Sequence, residues 1–211
     1  KDFSFVGMSG SSPSVLVVNP QLPANTVHEL IALAKSRPDE LNFGSSGNGT
    51  TVHLSAVLFN MMAGIKATHV PYKGAALTLN DLVAGQVQFT FASIAASIQL
   101  VRSGKLRALA VTSAHRQKAV PDVPTIAETI PGYEAIVWFG VLGPAGVPKP
   151  VVDTLNRALN EAFRAPEVST KLVAGGVDLV TSTPEQFAAY VRAEILKWGQ
   201  VVKASGARVD Q

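Results

Sequence analysis

The chain has 211 residues, 47% of them apolar and 16% charged, with a formal net charge of +3 and no cysteine. That length suits one large domain or two small lobes around a real core, and so few charges argue against disorder. A membrane-spanning run of roughly 18–20 apolar residues is absent, disulfides and cysteine metal sites are excluded, and scattered Lys and Arg without interleaved aromatics argue against nucleic acid.

The chain opens on Lys1-Asp2-Phe3 without a basic start and apolar run, so the expectation is a removed leader or a piece of something longer. Ser14 to Val18 is a β-branched run closed by Asn19-Pro20 and predicts a buried strand. Thr26 with Glu29 three residues on predicts a capped helix to Ser36, stopped by Pro38. A short strand follows from Leu41 to Ser45, then an apolar helix from Thr50 to Met62 closed by Gly64. Ala67 to Tyr72 reads as a strand, Ala75 to Val83 as a helix, Gln86 to Ala92 as an alternating strand, Ser93 to Arg102 as a helix and Arg107 to Thr112 as a strand.

The second half changes character. Pro121, Pro124 and Pro131 make 115–133 a connector with at most a short helix around Thr125 to Thr129. Ala135 to Leu142 predicts an apolar strand, and Pro150 to Arg164 an amphipathic helix. Pro166 breaks that helix, which resumes from Val168 to Ala174 and ends at Gly175-Gly176. Val177 to Val180 reads as a short strand. Thr183-Pro184-Glu185-Gln186 starts a helix reaching about Ala204, with Gly206 as its C-cap.

Strands followed by helices imply parallel pairing in an α/β sheet covered on both faces. Ligands of such sheets bind beyond the strand C-termini, against helix N-termini. Three consecutive strand–helix junctions carry small or hydroxyl residues. Gly44-Ser45-Ser46-Gly47-Asn48-Gly49-Thr50-Thr51 combines close backbone approach with hydroxyls and a helix start, which suits a carboxylate, phosphate or sulfate; a plain N-cap in a flexible turn fits equally well. Lys73 and Gly74-Ala75 form the second junction, where Lys73 reads either as a cation beside that anion or as a solvated side chain. Ser93 stands at the third as an N-cap. His53, one turn beyond the first junction, reads as facing a ligand or as a structural histidine.

Catalytic readings find less support. Gly44-Ser45-Ser46-Gly47-Asn48 has Asn where a nucleophile elbow needs its last Gly. Gly47-Asn48-Gly49-Thr50 lacks the lysine of a phosphate-binding loop. His28, His53, His69 and His115 form no zinc-type pair. The expectation is therefore no enzyme, no metal and no cofactor.

Several segments together resemble the Bug receptors, the extracytoplasmic solute receptors of tripartite tricarboxylate transporters. They are Asn42-Phe43-Gly44-Ser45-Ser46-Gly47-Asn48-Gly49-Thr50 with His53-Leu54, Val70-Pro71-Tyr72-Lys73-Gly74, and Asp81-Leu82-Val83-Ala84-Gly85-Gln86-Val87. Further on come Gly104-Lys105-Leu106-Arg107-Ala108-Leu109-Ala110-Val111-Thr112, Pro121-Asp122-Val123-Pro124-Thr125 with Glu128, Trp138-Phe139-Gly140, Pro144-Ala145-Gly146-Val147-Pro148 and Trp198. The resemblance implies a two-lobe type II periplasmic-binding fold with a small carboxylate held between the lobes. It implies binding without turnover, a periplasmic location and delivery to membrane permease subunits. Carried over by motif, Ser45, Ser46, Gly47, Asn48, Gly49, Thr50, Thr51 and His53 with Lys73, Gly74 and Ala75 are the second lobe's share of the site.

On that scheme residues 19–134 form the second lobe, and 1–18 with 135–211 form a partial first lobe. The family's segment before Lys1, with its Pro-Gly-Gly turn, has no counterpart here. An incomplete lobe predicts exposed apolar surface and a route to homo-association. Where many relatives carry Phe-Asp-Asn, this chain has Phe91-Ala92-Ser93, which favours a plain carboxylate over an amino acid. Two rivals stand beside the receptor: the ligand-sensing domain of a transcriptional regulator, and an enzyme on the same scaffold.

Overall fold

The computed structural model describes residues 2–174 and 176–207. They divide into two compact units, one comprising Lys1–Ser12 with Val137–Gly199 and the other Pro13–Ile136 with Gln200–Gln211. The larger unit carries the three junctions. Among the described residues these units differ from the expected division at 13–18, 135–136 and 200–207.

Strand β1 (Phe3–Val18) is far longer than the predicted Ser14–Val18 run. Only its second half belongs to the larger unit, and Pro13, which has no N–H to donate, marks the change. Leu16, Val17 and Val18 are completely buried there. The remaining strands are β2 (Asn42–Ser45), β3 (Thr68–Pro71), β4 (Phe89–Ser93) and β5 (Arg107–Val111), in the order β3-β2-β4-β1-β5.

Strands β2, β3 and β4 run parallel, as the strand–helix rhythm requires. The all-parallel expectation fails at β1, which lies antiparallel to both β4 and β5. β1 reaches the sheet as a crossing strand from the other unit, so no helical return sets its direction.

Helices α1 (Val27–Ser36), α2 (Thr51–Ala63), α3 (Ala75–Val83) and α4 (Ile94–Arg102) join these strands. Their starts follow local chemistry: Thr26, Thr50 and Ser93 each accept an N–H from the third residue of the helix. Glu29 reaches back one residue further than a capping box requires, to the N–H of Asn25. α2 ends on Gly64 at φ +62°, the left-handed conformation that glycine adopts without strain. Phe59 of α2 packs edge-on against Phe89 and Phe91, Phe43 stacks on Phe89, and the buried Tyr133 hydroxyl donates to the Ser55 carbonyl at 3.0 Å.

The smaller unit pairs the first half of β1 with β6 (Ile136–Pro144). It adds α5 (Lys149–Arg164), α6 (Pro166–Ala174) and most of α7 (Pro184–Ser205). Phe187 fills its centre, edge-on to Phe5 and Trp138. Asn156 binds the carbonyls of Val6 and Ser182. The strand expected at 177–180 is, among the described residues, a single bridge, Asp178 with Ser11. Gly175, expected to end α6, lies outside the described residues. Phe139, Val141 and Leu142 on β6 and Val151 and Leu155 on α5 are exposed. No helix among the described residues is long and apolar enough to cross a membrane.

Candidate functional site

Because β3, β2 and β4 are adjacent and parallel, the helix starts that follow them share one edge of the sheet. Ser45 pairs with Pro71, so β2 and β3 end level, while the pairing of Gly44 with Thr90 sets Ser45 opposite Phe91 and lets β4 run on to Ser93. Neighbouring strands lie about 4.8 Å apart, which brings the N-termini of α3, α2 and α4 side by side in that order. Each end carries unpaired N–H groups and a partial positive charge.

The first turn, 45–50, ties itself together. The Ser45 hydroxyl accepts the Gly47 N–H at 3.2 Å and lies 3.0 Å from the Gly47 carbonyl. Thr50 donates its hydroxyl to the same carbonyl at 2.8 Å. Gly49 donates its N–H to Nδ1 of His53 at 3.1 Å. Gly47 and Gly49 hold φ +136° and +69°, values that side-chain-bearing residues rarely adopt. The glycine N–H groups are thus engaged within the turn. The outward-facing part consists of exposed Asn48, Gly49 and Thr51 and half-buried Ser46 and Thr50. Thr51 and Val52 open α2, where N–H groups have no acceptor within the helix.

The second turn is simpler. Gly74 is the N-cap of α3 at φ +116° and offers no side-chain cap, so the α3 N-terminus is left open beside exposed Ala75 and Ala76. Lys73, also exposed, precedes it. The two turns are joined: the Tyr72 N–H donates to the Ser45 carbonyl at 2.9 Å. The Thr78 hydroxyl lies 3.1 Å from that carbonyl and 3.0 Å from the Gly74 carbonyl. At the third junction exposed Ser93 caps α4 through the Ala96 N–H, and Ala92 is buried.

The structure therefore brings Ser46, Gly47, Asn48, Gly49, Thr50, Thr51, Lys73, Gly74, Ala75 and Ser93 to one edge. Ser45 and His53 sit beneath that surface. Ser45 is completely buried and His53 is 3% exposed, and both side chains bind the turn itself.

One residue that sequence reasoning left unassigned joins them. His69, on β3, places Nε2 2.6 Å from the Ser45 hydroxyl and stacks on His53. Burial, and then the neighbouring His53, push the His69 imidazole down to about 4. Burial lowers His53 as well. A groove of about 350 Å³ beside the pair is lined by Phe43, Asn60, Asp39 and Lys66 and by the end of α7 at Ser205. Among the described residues no group of three metal-ligating side chains is present.

Comparison with known proteins shows the family and the fold. The family model described as "Tripartite tricarboxylate transporter family receptor" matches residues 1–207. Protein BugT of Bordetella pertussis is 37% identical over 99% of this chain and 64% of its own length. The chain spans 61% and 64% of the first two curated relatives it matches. An R. palustris protein solved with adipate is 39% identical and superposes with a TM-score of 0.79 over 98% of this chain and 70% of that one. MatC from Rhodopseudomonas palustris, solved with bound malate, is 31% identical with a TM-score of 0.75 over 95% of this chain and 69% of that one.

Proposed function

This chain belongs to the tripartite tricarboxylate transporter receptor family, and from that premise we propose that it captures a small organic acid in the periplasm and presents it to the permease of such a transporter. One observation carries the reading. Two helix N-termini on adjacent parallel strands, one with no side-chain cap and flanked by Lys73, face the same edge. Open helix N-termini and an exposed lysine favour an anion through charge and unpaired N–H groups.

The ligand's carboxylate sits against Thr51 and the start of α2, with Gly74, Ala75 and Lys73 on the second side. Ser46, Asn48, Thr50 and Ser93 supply polar contacts along the edge. Ser45, Gly47, Gly49 and His53 give the turn its form. No acid stands at the end of β4, where Ala92 is buried and Ser93 caps a helix. The ligand is accordingly a plain di- or tricarboxylate and carries no ammonium group. Relatives solved with adipate and malate support this class. The chemistry is binding alone; no turnover and no cofactor enter it.

A thermal-shift screen with adipate, malate and neutral dimethyl adipate tests the reading, on this chain and on one extended to the relatives' length. A binder at 100 times its Kd adds about 2.7 kcal/mol to stability. Stabilisation by a dianion and not by the diester is the expected result. Failure of every anion with both forms, or an equal response to the diester, would overturn it.

A further inference from the structure

Beneath the anion-facing edge lies a column of three rings. Phe43 stacks on His69 with centroids 5.0 Å apart, and His69 stacks on His53 at 3.8 Å with planes within 7° of parallel. The two imidazoles connect to the turn above. His53 accepts the Gly49 N–H on Nδ1, so its proton resides on Nε2. His69 meets the Ser45 hydroxyl, and that hydroxyl accepts the Gly47 N–H. Two of the turn's backbone N–H groups are therefore held, directly or through one hydroxyl, by the imidazole pair.

We infer that His69 and His53 are positioning residues that set the 47–50 turn for anion capture, and that the turn loosens when the pair takes up a proton. The physical reason is local. Protonating His53 at Nδ1 turns the acceptor of Gly49 into a donor and sets N–H against N–H. Protonating either ring places a cation in a stack with Phe43 and a second imidazole, in which Phe43 and His53 are buried and His69 is half-buried. The lowering of both imidazoles by burial agrees with a pair kept neutral.

The charged side chains along the adjoining groove are Asp39, ahead of β2, and Lys66, ahead of β3. They are of opposite sign. α2 contributes His53, β3 contributes His69, and the end of α7 contributes the neutral Ser205. The consequence for binding rests on the carboxylate-receptor reading; the effect on the turn does not.

The test is an NMR titration of the 15N-labelled full chain from pH 7.5 to 4. The expected result has three parts. His53 carries an unprotonated Nδ1 at pH 7.5. The Gly47 and Gly49 amide signals move with the same midpoint as the two ring signals. His53→Asn, whose amide oxygen replaces Nδ1 as a non-titrating acceptor, abolishes the Gly49 movement. With adipate as the probe, wild type loses about threefold more affinity than His53→Asn between pH 7.5 and 4.5, the ligand's own protonation being common to both.

A Gly49 amide indifferent to the ring titration, or a His53 protonated on Nδ1 at pH 7.5, would overturn the proposal. If the amides follow the rings while adipate binds neither form, the positioning role stands and the carboxylate reading falls. The wild-type titration decides the matter even if the variant does not fold.

Discussion

The Thr78 hydroxyl lies 3.1 Å from the Ser45 carbonyl and 3.0 Å from the Gly74 carbonyl. One buried side chain on α3 thereby joins the turn after β2 to the turn after β3. The shared edge is held by side-chain chemistry as well as by strand pairing.

Thr78→Val keeps the shape and removes the hydroxyl. The Ser45 carbonyl retains the Tyr72 N–H, so the loss is about 1 kcal/mol of stability. Urea denaturation measures it, with an unchanged slope expected. A larger proportional fall in carboxylate affinity is expected, because the two turns lose their link.

Gly44→Ala carries a steric cost. A Cβ there would stand 2.6 Å from Cγ2 of Thr78 and 3.3 Å from Tyr72 and Val87. Thr78 is held by its hydroxyl and cannot swing aside. The expected destabilisation is about 1–3 kcal/mol, read as a fall in denaturation midpoint.

Lys73 is exposed and lies beside the open start of α3. Lys73→Met leaves thermal stability unchanged and weakens dicarboxylate binding about three- to tenfold at low salt. The difference between variant and wild type narrows as salt rises, since screening acts on exposed charge. Calorimetry at two ionic strengths checks both halves.

Stability also carries a pH signature. His69 in the fold titrates near 4 against an ordinary value of 6.5, so the unfolded chain binds more protons between those values. Stability from this residue is complete above pH 6.5 and is lost as pH falls to about 4. With partial solvent access taken into account, the loss amounts to about 2 kcal/mol. Denaturation midpoints at pH 7.5, 5.5 and 4.5 should fall in that order, and His69→Asn should flatten the slope.

Ligand choice follows from the end of β4. Without an acid at Ala92 or Ser93, an ammonium group has no partner there. Succinate is expected to bind at least about tenfold more tightly than aspartate, a difference of about 1.4 kcal/mol. Competition against a common probe reads it.

The helix starts were legible because their chemistry is local. Thr26, Thr50, Ser93, Thr125 and Thr183 all cap as the residue types imply. The three glycine- and hydroxyl-bearing junctions were legible for the same reason. The first half of β1 was not. Its Gly7, Gly10 and serines lack the β-branched run that marks Ser14 to Val18, and only pairing with β6, more than a hundred residues away, extends it. Local pattern carries no such partner, nor the antiparallel direction of β1.

His69 had no local signal either. It sits on a four-residue strand between Thr68 and Val70, and its role appears only when β2 brings Ser45 and α2 brings His53 against it. The same holds for Ser45. As a hydroxyl in a loop it reads as a ligand contact, but the fold turns it inward to bind Gly47.

A carboxylate bound at the strand-end edge of the larger unit must perturb the amides that line it. Amide chemical-shift mapping with adipate at pH 7.5 tests it most directly. Saturable shifts are expected at Asn48, Thr51, Val52, Gly74 and Ala75, with smaller ones at Ser93. Saturable binding with shifts elsewhere and none at these amides would contradict it.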